Sequence, residues 1–408
     1  MSERLGQFWA RRRRLVLLVA AALLIRVLYT AIAPQIDPFL RTDPLHGDAG
    51  SYDQIARSLL AGNGFSLHEG PTAFWPPLYP YFLAGLYALF GYHLWIARLV
   101  QALLGAIAVG AVYETARLLF GRRVALLAGI GMLLYPHVIY FGAWLIAEAL
   151  YMALFTVAVW LAIRLQQRPG WLGFGSLGLL MGLGLLAKPA TLMFIPFLAL
   201  WAWFSLPALS RCRRATCFLL VLLVLVAVVA PWTVRNGIVF QDFILVSTNG
   251  GYTFYGANNE DAFGGHREGF PPRLPGLSEP EAEQEYYRRA LEWGAENPGD
   301  ALRLSARKLA RLFSPLSVAS YERDYDLPLA GLVKGVYWAF LLAVLVGMLL
   351  TLPRWRELIL LYALILRVLI GTVLFYGDAR YTLPMVPAWV IFAAVALASI
   401  YRRGLNDG

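Results

Sequence analysis

The chain has 408 residues, 59% of them hydrophobic and only 15% charged, with a mean hydropathy of +0.60. That balance excludes a soluble globular domain and describes a polytopic membrane protein. The net charge of +10 is carried largely by arginines clustered between apolar stretches, the positive-inside pattern, which removes nucleic acid as an expected partner.

In chain order, Arg11–Arg14 precede an apolar stretch reaching Ala33. Small residues at Ala31 and Ala33 resemble a signal-peptidase site, but the apolar stretch runs up to that point and Pro34 follows it. A retained first membrane helix is expected. Next comes "DPLHGDAGSYDQ", with Asp43, Asp48 and Asp53 and no basic residue. Ser51 and Gln54 have capping-box spacing, which predicts a helix from near Tyr52, with Tyr52, Ile55, Ala56 and Leu59 apolar and an end at Gly62. Asp48 then lies just ahead of a helix N-terminus, whose partial positive charge favours the ionised carboxylate, the form a general base needs. On this stretch alone, a polar turn closing the first span is the competing reading.

Apolar spans read at 15–33, 97–119, 124–141, 145–163, 171–187, 190–206, 215–233, 331–352, 358–375 and 383–400, about ten in all. Pro76–Phe90 is also free of charge but shorter than the roughly 20 residues a crossing needs. If it does not cross, Arg122/Arg123, Arg164/Arg168, Arg211/Arg213/Arg214, Arg354/Arg356 and Arg402/Arg403 all join Arg11–Arg14 inside; if it crosses, all of them move outside. The bias predicts a juxtamembrane helix at Pro76–Phe90, with both termini cytoplasmic in a multi-pass protein of the inner (plasma) membrane. Cys212 and Cys217, beside a basic run on that side, are expected to be free thiols.

This topology divides the chain into a transmembrane catalytic core at 1–233 with its first outer loop at 34–96, an extracytoplasmic region at 234–330, and C-terminal membrane helices at 331–408. It gathers Asp43, Asp48, Asp53 and Glu69 on one face with Glu148, Lys188, Arg235, Asp378 and Arg380. The outer region begins with a Gly-, Asn- and aromatic-rich loop suited to covering a site. Ser278 with Glu281 then spaces as a capping box, and Pro298 suits a first helical turn. After it, Leu302, Ala306, Leu309 and Phe313 share a face, as in an interfacial amphipathic helix.

Glu148 stands in an apolar span, where a carboxylate costs about 2–4 kcal/mol and marks a function or a buried pair. Arg26 and Arg367, also within spans, read as structural, each reaching a carbonyl or another span. Lys188, Arg235 and Arg380 point to an anion, with phosphate the first choice; lipid headgroups or an Arg380–Asp378 salt bridge are the alternatives. No P-loop, GxGxxG, HExxH or Cys/His ligand spacing is present, so neither a cofactor nor a metal is expected. His46 is set aside as an orienter of Asp48, and His137 reads as a packed interface residue.

The motifs "GDAGSY", "WPPLYP…LFG", "LIAEALY", "LLAKPA", "PWTVRN" with "NGGYTFYGANN", and "GDARYTLPMVP" occur in that order over most of the chain. Together they resemble the GT-C superfamily of polyprenyl-phosphate-sugar-dependent glycosyltransferases, which includes protein O-mannosyltransferases and the lipid A aminoarabinose transferase. The resemblance implies an all-α GT-C bundle of about ten transmembrane helices with juxtamembrane helices in the first outer loop. It implies Asp48 as catalytic aspartate with Glu148 as a second acidic position, and Lys188, Arg235, Arg380 and Tyr381 around a donor phosphate. Tyr52, Tyr255 and Asn258 are the implied substrate contacts. The implied partners are a polyprenyl-phosphate-linked sugar and a lipid, glycan or protein acceptor; the implied reaction is inverting transfer on the extracytoplasmic face, without a metal. The chain departs from several relatives at Ala49, where they have Glu, and at Trp75, where they have Lys or His. A transporter or flippase of a lipid-linked sugar is the competing class, although the chain lacks the internal repeat such folds often show.

Overall fold

A computed structural model describes residues 2–68, 70–267, 269–315 and 330–406. Glu69 of the first outer loop lies outside them. The chain is 79% helical, and one two-stranded ribbon is its only sheet among these residues.

The first half comprises α1 (Ser2–Ile36), α2 (Pro38–Thr42), α3 (Asp48–Leu60), the ribbon β1 (Ser66–Leu67) and β2 (Gly70–Pro71), α4 (Leu78–Phe90), α5 (Leu94–Phe120), α6 (Arg122–Leu134), α7 (Pro136–Gly142), α8 (Glu148–Gln167) and α9 (Trp171–Ala187). A 3-10 turn at Pro189–Phe194 leads into α10 (Ile195–Phe204) and α11 (Arg211–Phe240). The outer region holds α12 (Asn249–Ala257), α13 (Glu279–Glu296) and α14 (Pro298–Leu312). The last helices are α15 (Ala330–Thr351), α16 (Trp355–Leu374) and α17 (Val386–Asn406), with 3-10 turns at Leu352–Arg354 and Ala379–Met385 between them.

Every apolar span read from the sequence falls on a helix. By length and hydropathy, six helical stretches among the described residues suit a bilayer crossing, or seven counting α6 and α7, bent by 48°, as one. One of the six, Gly331–Leu374, is two helices folded back on each other, because the Tyr362 hydroxyl donates to Met348 O at 2.8 Å and meets Thr351 Oγ1 at 2.9 Å. The expected spans at 171–187 and 190–206 are the shorter helices α9 and α10. Helix contacts are close where glycine allows it. A Cβ on Gly178 of α9 would lie 2.6 Å from Val221 O of α11, and one on Gly347 would lie 1.9 Å from Phe392 O, so these backbones meet directly.

The two ends of the bundle differ in chemistry. At one end, Arg354 donates to Leu119 O at 3.1 Å, Gln166 to Glu357 O at 3.1 Å and Arg214 to Trp203 O at 2.6 Å. The basic clusters between spans therefore share this end. At the opposite end, α4 packs on α3 through Tyr79 against Tyr52, at 5.0 Å between ring centroids, and through Tyr87, whose hydroxyl donates to Asp53 at 2.9 Å. With 13 residues, or about 20 Å of helix, α4 is too short to cross. Asp53 is fully buried and also takes Arg57 at 2.8 Å, so it is a structural carboxylate. Cys212 and Cys217 are both free.

One local expectation is corrected. Helix α3 starts at Asp48 rather than near Tyr52, because Gly47 adopts φ 62° and turns the chain one helical turn earlier than the Ser51 capping spacing suggests. On α14 the face packed on the protein is Leu304, Lys308 and Leu312, with the long Lys308 stem directed inward, while Leu302 on the expected apolar stripe is 74% exposed. The capping box at Ser278 and Glu281 is present, and Pro298 opens α14.

Helix α13 also fastens the outer segments together. Glu279 accepts from Thr72 Oγ1 at 2.6 Å, Ala73 N at 2.7 Å and Thr248 Oγ1 at 3.1 Å. Glu279→Ala leaves these donors without their acceptor and should lower unfolding free energy by about 1–3 kcal/mol. Thermal unfolding in detergent measures this, with Glu279→Gln expected between the two.

Candidate active site

Four charged residues expected from the sequence meet at the end of the bundle opposite the basic clusters, each delivered by a break in helical structure. Asp48 and Glu148 are the first residues of α3 and α8, where the helix dipole favours a carboxylate. Lys188 is the extended residue between α9 and Pro189, which bars the α conformation and ends the helix. Arg380 lies in the 3-10 turn before α17, whose Pro384 cannot sit inside a regular helix without losing a hydrogen bond.

Arg380 joins the two carboxylates. Its Nη2 donates to Asp48 Oδ2 at 2.6 Å, and its Nε donates to Glu148 Oε1. Lys188 Nζ donates to the same Glu148 oxygen at 2.7 Å. The chain Asp48–Arg380–Glu148–Lys188 is formally neutral and brings together segments about 330 residues apart. Burial is graded along it: the Glu148 side chain is 6% exposed and Asp48 is 30% exposed. Glu148 also faces inward, where it lines a small cavity of about 20 Å³ with Arg26, Thr30, Gln101, Met152 and Leu383. Its Oε2 is buried there with no partner among the described residues.

Aromatic residues wall this cluster. The Tyr52 ring lies edge-on to Trp75, at 5.0 Å between centroids. Burial first, then the negative charges of Asp48 and Glu148, hold the Tyr52 hydroxyl well above its usual range. Tyr381 stacks on Tyr376 at 6.4 Å and follows Arg380 directly. Ala49, on the buried face of α3, is fully enclosed, so the departure there places a methyl group inside the packing.

Other expected residues lie elsewhere. Arg235 is not part of the cluster: it donates to Thr72 O at 2.9 Å and Phe65 O at 3.1 Å, with Trp232 beneath it at 4.8 Å. Tyr255 stacks between Phe270 and Tyr286. Asn258 accepts from Lys308 Nζ at 2.8 Å and donates to Phe254 O and Leu374 O, each at 2.8 Å. Arg380 does not pair with Asp378, which is fully buried and takes Arg311 at 2.9 Å. His46 lies against Asp43 at 3.6 Å, and His137 meets Pro315 O at 3.1 Å. Arg367 donates to the Tyr151 hydroxyl at 2.7 Å and Arg26 to Ala22 O at 3.2 Å, so both engage neighbouring groups within the bundle.

The sequence pattern described as dolichyl-phosphate-mannose-protein mannosyltransferase matches residues 75–234, which include Glu148 and Lys188 but not Asp48 or Arg380. No curated protein matches the sequence significantly. Among solved structures, the apo oligosaccharyltransferase of Archaeoglobus fulgidus superposes with a TM-score of 0.56 at 12% identity, over 94% of this chain and 51% of that one. The oligosaccharyltransferase AglB of the same archaeon, in complex with an inhibitory peptide and a dolichol-phosphate, superposes at 0.55 and 15% identity, over 97% and 51%. The chain has the GT-C fold. It spans about half the length of these archaeal enzymes. ArnT from Cupriavidus metallidurans, bound to undecaprenyl phosphate, gives 0.47 at 18% identity, over 96% and 78%.

Several important residues of this GT-C bundle escaped the sequence. Lys308 is fully buried and also donates to Val373 O at 3.1 Å, yet in the sequence it is one base among several on a charged helix. Gly377 is the one local signal, since a Cβ there would lie 1.8 Å from Lys308 O.

Two outcomes follow. Glu148→Ala takes from Lys188 its carboxylate and leaves Arg380 with Asp48 alone, and should lower stability by about 1–3 kcal/mol, read by denaturant unfolding in detergent. Burial lowers the Lys308 ammonium to about 8. Between that value and about 10.4 the unfolded chain holds a proton that the folded chain has released, so stability rises with pH across this window. Unfolding at pH 7.5 and 10 should show the stability difference between wild type and Lys308→Met shifting in favour of the wild type at the higher pH, the variant cancelling the contributions of other groups.

Proposed function

We propose that the chain is an inverting glycosyltransferase of the outer membrane face, moving a hexose or pentose from a polyprenyl-phosphate donor to an acceptor hydroxyl. The observation that carries this reading is the neutral Asp48–Arg380–Glu148–Lys188 chain at one end of a GT-C bundle. An acceptor-only carboxylate, partly open to water, lies beside two cations that suit an anionic leaving group. The family pattern at 75–234 bears a dolichyl-phosphate sugar in its description, and the archaeal structure holds a dolichol-phosphate, which agrees with a lipid-phosphate donor.

In this mechanism Asp48 takes the proton of the acceptor hydroxyl, whose oxygen attacks the anomeric carbon. The bond from that carbon to the phosphate oxygen breaks on the opposite side, and its electron pair leaves with the lipid phosphate. Lys188 and Arg380 offset the charge growing on that leaving group, an electrostatic contribution of several kcal/mol. Glu148 orients both cations, and Tyr52 and Tyr381 border the sugar. Arg235 acts at a distance by holding the strands that lead to Trp75. The acceptor is a lipid, glycan or protein hydroxyl. The basic clusters at the other end of the bundle support cytoplasmic termini in a plasma or inner membrane.

The test is transfer from radiolabelled dolichyl-phosphate and undecaprenyl-phosphate sugars by protein in nanodiscs. Asp48→Asn should cut the rate about 100- to 10,000-fold with folding intact. A rate near wild type would remove the base role.

A further inference from the structure

The geometry points to a competition: Asp48 and the donor phosphate contend for Arg380, so the base becomes competent only as the donor seats. This rests on the transferase reading and specifies how the same site is regulated.

The two carboxylates on Arg380 are held unequally. Glu148 is anchored by both Arg380 and Lys188 and is 6% exposed. Asp48 has Arg380 as its one charged partner among the described residues, at 2.6 Å, and is 30% exposed. A phosphate arriving between Arg380 and Lys188 adds a third anion to a region of low dielectric, where like charges repel strongly. One of the three must yield, and Asp48 is the exchangeable one. Each carboxylate opens a helix, so what distinguishes them is that Asp48, once released, keeps partial solvent access, which buried Glu148 lacks.

The exchange matters because the Asp48 oxygen that would take the acceptor's proton is the one that accepts from Arg380 at 2.6 Å. While Arg380 holds it, that oxygen is occupied. Once the phosphate draws Arg380 away, the same oxygen is free to accept the acceptor's proton. Acceptor activation is thereby tied to the presence of a leaving group, which implies donor binding before the chemical step.

The test measures binding of bare undecaprenyl phosphate and bare dolichyl phosphate to the full chain in nanodiscs, with thermal unfolding as the folding control. Asp48→Asn, although inactive in transfer, should bind lipid phosphate roughly tenfold more tightly than wild type, since one competitor has lost its charge. Asp48→Glu should return the affinity to near wild type. On an Arg380→Gln background, Asp48→Asn should change affinity by less than about twofold. If Arg380→Gln binds no lipid, the single-variant result decides, and if Asp48→Asn does not fold, Asp48→Ser takes its place. Unchanged or weaker binding by folded Asp48→Asn overturns the competition and leaves the transferase reading standing. Equal tightening with Arg380→Gln also overturns it, because Arg380 is then not the contested group. Wild-type protein that binds neither lipid phosphate sinks the transferase reading and this inference together.

Discussion

The guanidinium of Arg380 is the constraint on which the candidate-site end of the bundle depends. It holds α3, α8 and the turn before α17 in one arrangement by serving two carboxylates that lie 100 residues apart in the chain. Charges in a membrane protein are costly unless each meets an opposite charge and a hydrogen bond. Here the alternation of sign along four side chains meets that condition and leaves one carboxylate, Asp48, near water. Helix starts at Asp48 and Glu148, and proline-bounded irregular backbone at Lys188 and Arg380, are the local features that make the meeting possible.

Much of this was legible in the sequence because its causes are local or compositional. Apolar stretches mark helices, and arginine clusters fix which helix ends lie together. Asp48, Glu148, Lys188 and Arg380 could be singled out because charge in or beside an apolar span is conspicuous. What stayed hidden depends on long-range contact. Lys308 looks like any base on an amphipathic helix until α14 is seen turned with that residue inward. Arg235 matched an expected phosphate position, but its partners are carbonyls at Phe65 and Thr72, some 165 residues earlier, which no periodicity announces. The start of α3 was misplaced because Gly47, a single left-handed residue, outweighs a capping-box spacing.

The sequence match at 75–234 and the superposition over nearly the whole chain cover different ground. The pattern covers α4 through most of α11, with Glu148 and Lys188, while Asp48 and Arg380 lie outside it. The four-residue cluster therefore straddles the boundary of the matched sequence.

Pairing two cations against a phosphate has a further outcome on the proposed reading. A sugar-bearing lipid phosphate is a diester with a single negative charge, whereas the spent carrier is a monoester that approaches two. Lys188 and Arg380 then attract the carrier more strongly after transfer than before it. On that reading the spent lipid is the tighter-held of the two and competes with fresh donor for the same cations.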